Sequence, residues 1–342
     1  MSDELPRRKS TPKTSLVRCA TITGLLLAVI IGFGVWISLR EGDLELSAYH
    51  PFKSSEAKAT YLALYDIKAK KWPVASECRM VDTSYGQTFV RISGRSGAPP
   101  LVLLHGAGGN SLQWIPNIKA LSESFRTYAV DNICDNGRSI YTRAFESPND
   151  FVNWLNELFN GLELGDSINL MGLSYGGWLA AQYALHFSNR LRKIVLLAPA
   201  CTVLPLSYKW ILRAVLCTIP HRYFTRSFLY WLLADLAQKG DSGTMFIEEH
   251  ADESYLALRS FRTRRMVNPT VLSDSELQNI KVPTLFLVGE NEKIYSAQKA
   301  VQRLKVVAPQ VETAVIPNAG HDLTIVQAEM VNRKILDFLE RP

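Results

Sequence analysis

The chain has 342 residues, of which 47% are hydrophobic and 20% are charged. This composition excludes an intrinsically disordered chain and a polytopic membrane protein, and the length is sufficient for one large domain with a full core. The formal net charge is +6, but residues 1–40 hold six Lys and Arg against two acidic residues, which leaves only +2 for the rest of the chain. A near-neutral body argues against a nucleic-acid-binding surface, which needs a basic face on the folded part.

An uncharged apolar segment occupies residues 19–39 and reads CATITGLLLAVIIGFGVWISL. As a helix it would be roughly 31 Å long, which matches the ~30 Å hydrocarbon thickness of a bilayer. We therefore predict one N-terminal transmembrane helix over residues 19–39. Five basic residues lie in the tail 1–18 and the residues after the segment are acidic on balance, so the positive-inside rule predicts a cytoplasmic N-terminus and an extracytoplasmic catalytic domain in the cell membrane.

A cleaved signal peptide is the alternative for this segment. The apolar core of such a peptide is normally about 7–15 residues and is followed by an A-x-A-like site, which only Leu46-Ser47-Ala48 faintly resembles. Residues 40–57 are polar and are predicted to form a linker. The domain is then predicted over residues 58–342, with its first helix from Glu56 to Trp72.

The rest of the chain alternates short apolar runs with helical patterns. Such alternation predicts an α/β fold with a mostly parallel sheet and helices on both faces. The predicted strands are Cys78–Thr83, Gln87–Ser93, Leu101–His105, Thr127–Asp131, Ile168–Leu173, Ile194–Ala198, Thr284–Val288 and Thr313–Ile316. The predicted helices lie near Ser111–Ser124, Asp150–Gly161, Trp178–Phe187, Ala297–Val307 and Ile325–Leu339.

Residues 201–280 interrupt this alternation with an aromatic, helical stretch that contains no clear strand. Eighty residues are too many for a simple connection, so we expect a helical cap over the carboxyl edge of the sheet, where open α/β folds bind ligands. Its four arginines, Arg259, Arg262, Arg264 and Arg265, are interpreted as a solvated helix face, with steering of an anionic substrate as the alternative.

Gly172-Leu173-Ser174-Tyr175-Gly176 follows a predicted strand and opens a predicted helix. In that context G-x-S-x-G forms a strained turn that projects the serine hydroxyl, so Ser174 is the predicted nucleophile. A serine needs a general base, and His321 lies in a tight turn after the last strand, at the edge from which Ser174 projects. The turn after Thr284–Val288 offers two carboxylates, Glu290 and Glu292, to hold the imidazole in its tautomer.

An oxyanion formed by attack on a carbonyl needs two preorganised N–H donors. The backbone amide of Tyr175, directly after the nucleophile, is one candidate. Ala107, in the glycine-rich turn after Leu101–Leu104, is the other. The neighbouring His105 is interpreted as a residue that packs within this turn and has no catalytic role.

Four segments in this order resemble the α/β-hydrolase fold superfamily, most closely a bacterial esterase-like serine hydrolase subgroup. The resemblance implies that Glu292, three residues after the strand-ending Gly289, is the triad acid, although most of the superfamily has Asp there. Ser174 argues against the branches that use an Asp nucleophile. The segments are LVLLHGAGG (101–109), GLSYGG (172–177), TLFLVGENE (284–292) and NAGH (318–321), with Trp72-Pro73 and the D-x-x-G-D-x-G-x-S-like stretch 131–139 supporting the subgroup.

The predicted function is therefore that of a membrane-anchored serine hydrolase that cleaves small-molecule or lipid-like carboxylic esters through a Ser174-His321-Glu292 triad. No metal or organic cofactor and no nucleic-acid partner is implied. A lipase, thioesterase or amidase on the same fold is one alternative, and a sensory or binding module with weak turnover is another. Cys78, Cys134, Cys201 and Cys217 allow three disulfide pairings in an oxidising compartment, but buried free thiols are the interpretation preferred here.

Overall fold

A computed structural model describes residues 51–262 and 267–342. The predicted basic tail 1–18, the predicted membrane helix 19–39 and linker residues 40–50 lie outside these ranges, as do Arg264 and Arg265. Within the two described ranges, no helix combines the length and the apolar character needed to cross a bilayer.

The described residues form a nine-stranded sheet in the order β1-β2-β4-β3-β6-β7-β8-β9, with the short β5 paired to β2. Strands β1, β2, β4 and β5 are joined by antiparallel pairs, whereas β4-β3-β6-β7-β8-β9 is parallel throughout. The strands are β1 (Ser76–Thr83), β2 (Gly86–Ser93), β3 (Pro100–Leu104), β4 (Arg126–Val130), β5 (Ile140–Tyr141), β6 (Ile168–Leu173), β7 (Leu191–Leu197), β8 (Thr284–Gly289) and β9 (Glu312–Ile316).

Within the described residues, twelve α-helices accompany the sheet. They are α1 (Ser55–Ala69), α2 (Ile115–Ser124), α3 (Pro148–Gly161), α4 (Tyr175–His186), α5 (Tyr208–Leu216), α6 (Arg222–Leu232), α7 (Ala234–Ala237), α8 (Asp241–Ser260), α9 (Asp274–Asn279), α10 (Ala297–Val307), α11 (Leu323–Val326) and α12 (Ala328–Glu340). Helix α3 packs on α4, and α2 packs on α12. The mostly parallel α/β-hydrolase architecture expected from the sequence is thus present.

The central strands are apolar because both of their faces are covered. Every residue of β6 and of β8 is buried, which is the pattern of a parallel strand between two helical layers. The two-residue β5 escaped sequence analysis because it is too short to show any alternation. The four described cysteines are free thiols, as preferred, but the prediction that they are buried holds only for Cys201, since Cys134 and Cys217 are half-buried and Cys78 is exposed.

The domain begins earlier than the predicted boundary between residues 57 and 58. Phe52 is buried and its ring centroid lies 4.3 Å from that of Phe261, and α1 starts at Ser55 with Ser54 as its N-cap. Proline and short polar residues around Phe52 suggested a linker, but its aromatic side chain packs against the end of α8.

The insertion between β7 and β8 carries α5 to α9, as predicted for a helical cap. Helix α6 packs on α8, and α8 in turn packs on α1. A small core of Leu233, Leu236 and Ile247 lies within the cap, separate from the core around the sheet. The cap therefore has a small core of its own.

Candidate active site

Ser174 lies between β6 and α4 in a strained backbone conformation, with φ 54° and ψ −115°. A positive φ at a residue with a side chain costs about 1–3 kcal/mol and persists only where neighbouring structure enforces it. Here the Ser174 amide donates to Leu197 O at 2.9 Å, and the Ala200 amide donates to Ser174 O at 2.9 Å. Both ends of the turn are thus tied to the carboxyl end of β7.

The glycines of the motif allow three backbone segments to approach closely. A Cβ on Gly172 would lie 2.1 Å from Gly176 O, and a Cβ on Gly176 would lie 2.3 Å from Leu104 O. No side chain fits at either distance. The G-x-S-x-G spacing is therefore required by packing as well as by the turn itself.

Glu292 and His321 form a direct pair at the same edge of the sheet. The His321 Nδ1 atom lies 3.1 Å from Glu292 Oε1 and 3.0 Å from Oε2. The Glu292 side chain is fully buried, and its Oε1 atom also accepts the amides of Lys293 at 2.8 Å and Ile294 at 3.0 Å. The carboxylate is therefore fixed in a position from which it can orient the imidazole ring.

Burial and the carboxylate act on the imidazole in opposite directions. Burial lowers the pKa of His321, but the charge of Glu292 and its hydrogen bond outweigh burial, with a smaller contribution from Asp322, so that the pKa is raised above its ordinary value. Such a shift stabilises the imidazolium that forms when a general base accepts a proton. Within the described residues, no hydrogen bond joins His321 to the Ser174 hydroxyl; such contacts often tighten only when substrate is bound.

Glu290, the other carboxylate of this turn, is exposed and does not contact His321. Its Oε2 atom instead accepts the amide of Asn318 at 3.3 Å. The turn places the two acids differently because Gly289 packs against the histidine loop, where a Cβ would lie 2.3 Å from Ala319 O. Of the two candidates that the sequence offered, the structure brings Glu292 to the histidine.

Sequence analysis missed the residues through which the cap holds both loops. The carboxylate of Asp322 accepts the amide of Gly320 at 3.0 Å and the amide of Leu236 in α7 at 2.8 Å. Asp235, also in α7, accepts from Asn291 Nδ2 at 2.7 Å. Asp322 could have been noticed as a carboxylate adjacent to the predicted base, but nothing in the sequence indicated its partner 86 residues away.

The turn after β3, which carries the predicted oxyanion-hole residue Ala107, lies close to Ser174. A Cβ on Gly106 would lie 3.3 Å from the Cβ of Ser174. Gly106 and Gly108 are held by side chains, since their amides donate to Gln113 Oε1 at 2.8 Å and to the Asp135 carboxylate at 3.0 Å. Ala107 is exposed between these two fixed points.

Tyr175 opens α4, and its hydroxyl donates to Val267 O at 2.8 Å. His105 is fully buried, with Nε2 accepting the amide of Asn132 at 2.9 Å and Nδ1 lying 2.8 Å from Gly106 O. Because Nε2 accepts, the proton lies on Nδ1, which then donates to Gly106 O. His105 thus has the packing role in the turn that was predicted.

The remaining described histidines make local helix contacts away from this edge. His221 Nδ1 accepts the amide of Tyr223 at the start of α6. His186 and His250 each contact the carbonyl four residues earlier in their own helices. Burial is the largest cause that lowers the pKa of His250 to about 4.

Comparisons with known proteins identify the family to which this fold belongs. The sequence profile of the alpha/beta hydrolase family matches residues 101–333. The chain is 33% identical over 298 residues to carboxylesterase YbfK of Bacillus subtilis, covering 84% of this chain and 96% of the relative. It is 34% identical over 285 residues to the uncharacterized carboxylesterase nap of the same organism, covering 81% and 91%.

Solved structures show the same similarity in three dimensions. The crystal structure of naproxen esterase from Bacillus subtilis superposes with a TM-score of 0.76 at 32% identity, covering 84% of this chain and 99% of that one. The crystal structure of carboxylesterase CesB (YbfK) gives a TM-score of 0.75 at 33% identity, covering 83% and 98%. With the profile match over most of the domain, these similarities show that the chain belongs to the alpha/beta hydrolase family.

Proposed function

We propose that this protein is a carboxylesterase that uses Ser174 as nucleophile, His321 as general base and Glu292 as the acid that orients the histidine. The observation that carries the proposal is the bidentate approach of the buried Glu292 carboxylate to His321 Nδ1 at the edge where Ser174 is held in a strained turn. Two relatives that match most of this chain are named carboxylesterases, which supports a carboxylic ester as substrate.

In the proposed reaction, His321 Nε2 removes the proton of Ser174 Oγ as the oxygen attacks the ester carbonyl. The amides of Ala107 and Tyr175 stabilise the oxyanion. His321 then gives its proton to the departing alcohol, which leaves an acyl-enzyme. A water molecule, deprotonated by His321, attacks this acyl group, and the proton returns to Ser174 as the carboxylic acid is released.

Labelling with a fluorophosphonate, followed by hydrolysis of p-nitrophenyl esters, tests the nucleophile. Ser174→Ala should abolish both labelling and hydrolysis, because loss of a triad member removes several powers of ten from kcat. Ser188→Ala, at an exposed serine beyond α4, is the control and should retain both. Labelling that survives Ser174→Ala would show that the nucleophile is elsewhere, and a folded wild-type chain that neither labels nor hydrolyses would favour a binding or sensory module.

We further propose that residues 19–39 anchor the protein in the cell membrane, with a cytoplasmic N-terminus and an extracytoplasmic catalytic domain. The uncharged apolar stretch and the basic residues before it support this topology. The full chain should stay in the membrane fraction and lose its catalytic domain to protease added outside intact cells. A chain beginning at Gly42 should be released from the membrane fraction by salt or alkaline washing, which leaves the full chain in place, and should remain active. Protection of the full chain from external protease would contradict the orientation.

A further inference from the structure

Helix α5 of the cap carries its apolar side chains on the outside. None of its nine residues is buried. The exposed large side chains recur at three- and four-residue spacing and so lie on one face of the helix. We call this set the α5 apolar face: Tyr208 (75% exposed), Ile211 (50%), Leu212 (60%), Val215 (54%) and Leu216 (36%).

The opposite side of α5 fixes this orientation. The Trp210 ring centroid lies 6.4 Å from that of Phe228 in α6, and the Arg213 guanidinium lies over the Trp231 ring at 5.1 Å from its centroid. A surface helix normally turns its apolar stripe toward the core. Five of the twelve exposed large hydrophobic side chains of the described residues lie on this one helix, and an outward apolar patch of this kind marks an interaction site.

The charge around the α5 apolar face is positive. Residues 201–234 contain four basic residues and no Asp or Glu. Arg222 and Arg226 pair with acidic residues of α8, whereas Lys209 is exposed and forms no ion pair within the described part of the chain. An apolar helix face with an unpaired cation beside it and no acidic residue nearby in the sequence matches an anionic lipid surface, where the acyl boundary takes the apolar side chains and the headgroups take the cation.

The point at which the chain enters the domain also lies on the cap. The Arg262 amide donates to Pro51 O and the Lys53 amide donates to Ser260 O, both at 2.8 Å. Only residues 40–50 separate this point from the apolar segment 19–39, and eleven residues span at most about 40 Å. The chain therefore connects the apolar segment to the domain at the cap.

Helix α5 is joined to the loop that carries the triad acid. Ser207, its N-cap, donates through its amide to Ile294 O at 2.7 Å and through its hydroxyl to Lys293 O at 3.1 Å. The amides of those two residues are the ones that bind the Glu292 carboxylate. A surface that binds α5 would therefore lie close to the turn that carries Glu292.

We propose that the α5 apolar face docks on an anionic lipid bilayer and presents the active site to esters dissolved in that bilayer. This inference rests on the proposed esterase function and names its substrate class. A second copy of the chain is the competing occupant of the face, and the closing experiment is designed to distinguish it.

The test compares two substrates on the full chain reconstituted into vesicles of phosphatidylcholine and phosphatidylglycerol. Ile211→Glu/Leu212→Glu places two carboxylates on the face, and Val306→Glu, at a 77% exposed position of α10, is the matched control. The double variant should lose at least about fivefold in rate on a long-chain p-nitrophenyl ester dissolved in the bilayer, because the face is repelled by the anionic surface. Its rate on p-nitrophenyl acetate in water should stay unchanged, and the control should keep both rates.

A second measurement reports docking without using activity. Leu212→Trp should add fluorescence that brominated lipids in the vesicles quench, beyond the quenching of the seven native tryptophans, and the fluorescence added by Val306→Trp should not be quenched. Equal quenching at the two positions, or equal bilayer-ester rates for wild type and double variant, would overturn the docking. A wild-type dimer in sedimentation velocity that the double variant dissociates would assign the face to a second copy and would also overturn it.

The remaining outcomes separate folding and function from docking. If the glutamate variant loses both activities, the test is repeated with Ile211→Ser/Leu212→Ser, which adds no charge. A fall in its rate on the bilayer ester relative to its rate on p-nitrophenyl acetate would support docking, and an unchanged ratio would overturn it. If the wild-type chain hydrolyses neither ester, the proposed function fails, and the quenching comparison alone decides docking.

Discussion

Replacement of Glu292 by Gln tests the acid of the proposed triad at the point where the sequence offered two candidates. The change removes one negative charge from a fully buried side chain that contacts His321 Nδ1 through both oxygens. The carbonyl of Gln can still accept the amides of Lys293 and Ile294, so the turn should keep its conformation. The variant therefore removes the charge while it preserves the packing.

The expected loss in kcat is large. A change from carboxylate to amide in a Ser-His-acid triad costs about 10⁴ in kcat, because the imidazole is held in the wrong tautomer and the imidazolium loses its counter-charge. At about 1.36 kcal/mol per tenfold change, this corresponds to roughly 5 kcal/mol of transition-state stabilisation. The free energy of unfolding, measured in urea at neutral pH, should change much less than that.

The pH dependence provides a second readout with a defined sign. In the wild-type protein Glu292 raises the pKa of His321 against the effect of burial. Without that charge the effect of burial is less opposed, so the pKa falls. The acidic limb of kcat/KM, which reports deprotonation of the base in the free enzyme, should move to lower pH in Glu292→Gln, and the residual activity should extend further into acid.

Glu290→Gln is the matched control, since it makes the same chemical change two residues earlier at an exposed carboxylate. It should reduce kcat by less than about threefold and leave the acidic limb in place, as is usual for an exposed side chain without contact to the reacting groups. A large loss of kcat in Glu290→Gln, together with a nearly normal kcat in Glu292→Gln, would refute the assignment of Glu292 as the acid. An unshifted acidic limb in Glu292→Gln would refute the electrostatic part of the reasoning.

Asp322→Asn should lower kcat about tenfold and shift the acidic limb to lower pH, because Asp322 raises the pKa of His321 and ties its loop to α7. Gly176→Ala should destabilise the protein in urea by several kcal/mol despite the ~1 kcal/mol helix preference of Ala, since the new Cβ would lie 2.3 Å from a backbone oxygen of β3; a gain in stability would contradict this. His250 has a pKa lowered to about 4, so its contribution to stability is full above pH 6.5 and is lost as pH falls toward 4. His250→Gln should therefore flatten the fall in unfolding free energy between pH 6.5 and 4.5 by up to about 3 kcal/mol, whereas His221→Gln should not.

Local patterns in the sequence were sufficient for the α/β architecture and for most of its elements. The apolar runs of β6 and β8 predicted their bounds to within one residue, because parallel strands buried on both faces leave a continuous apolar signal. G-x-S-x-G located Ser174 for a similar reason. The turn itself needs these glycines, so the five consecutive residues are sufficient to predict its backbone conformation.

Contacts between segments that are distant in the sequence left no local sequence pattern from which they could be predicted. Residue types in the turn after β8 left both Glu290 and Glu292 possible, and only the resemblance implied Glu292. The contact itself depends on how this turn packs against the histidine loop, 29 residues further along the chain. The role of Asp322 depended on α7 in the cap. The early start of the domain at Phe52 depended on Phe261, with which it pairs across more than two hundred residues.

The sequence by itself predicted most strands and helices in chain order, Ser174 as the proposed nucleophile, and the turn after β9 that carries the proposed base, because each of these is encoded by residue type within a short stretch. The tertiary structure brings Glu292, the acid that the resemblance implied, into contact with His321. It alone decided which cap residues hold the two loops and that α5 turns its apolar face outward. Helical periodicity shows that α5 is amphipathic, but it cannot show which side faces the core. That orientation is set by Trp210 and Arg213 packing on α6, a contact between helices that no local pattern records.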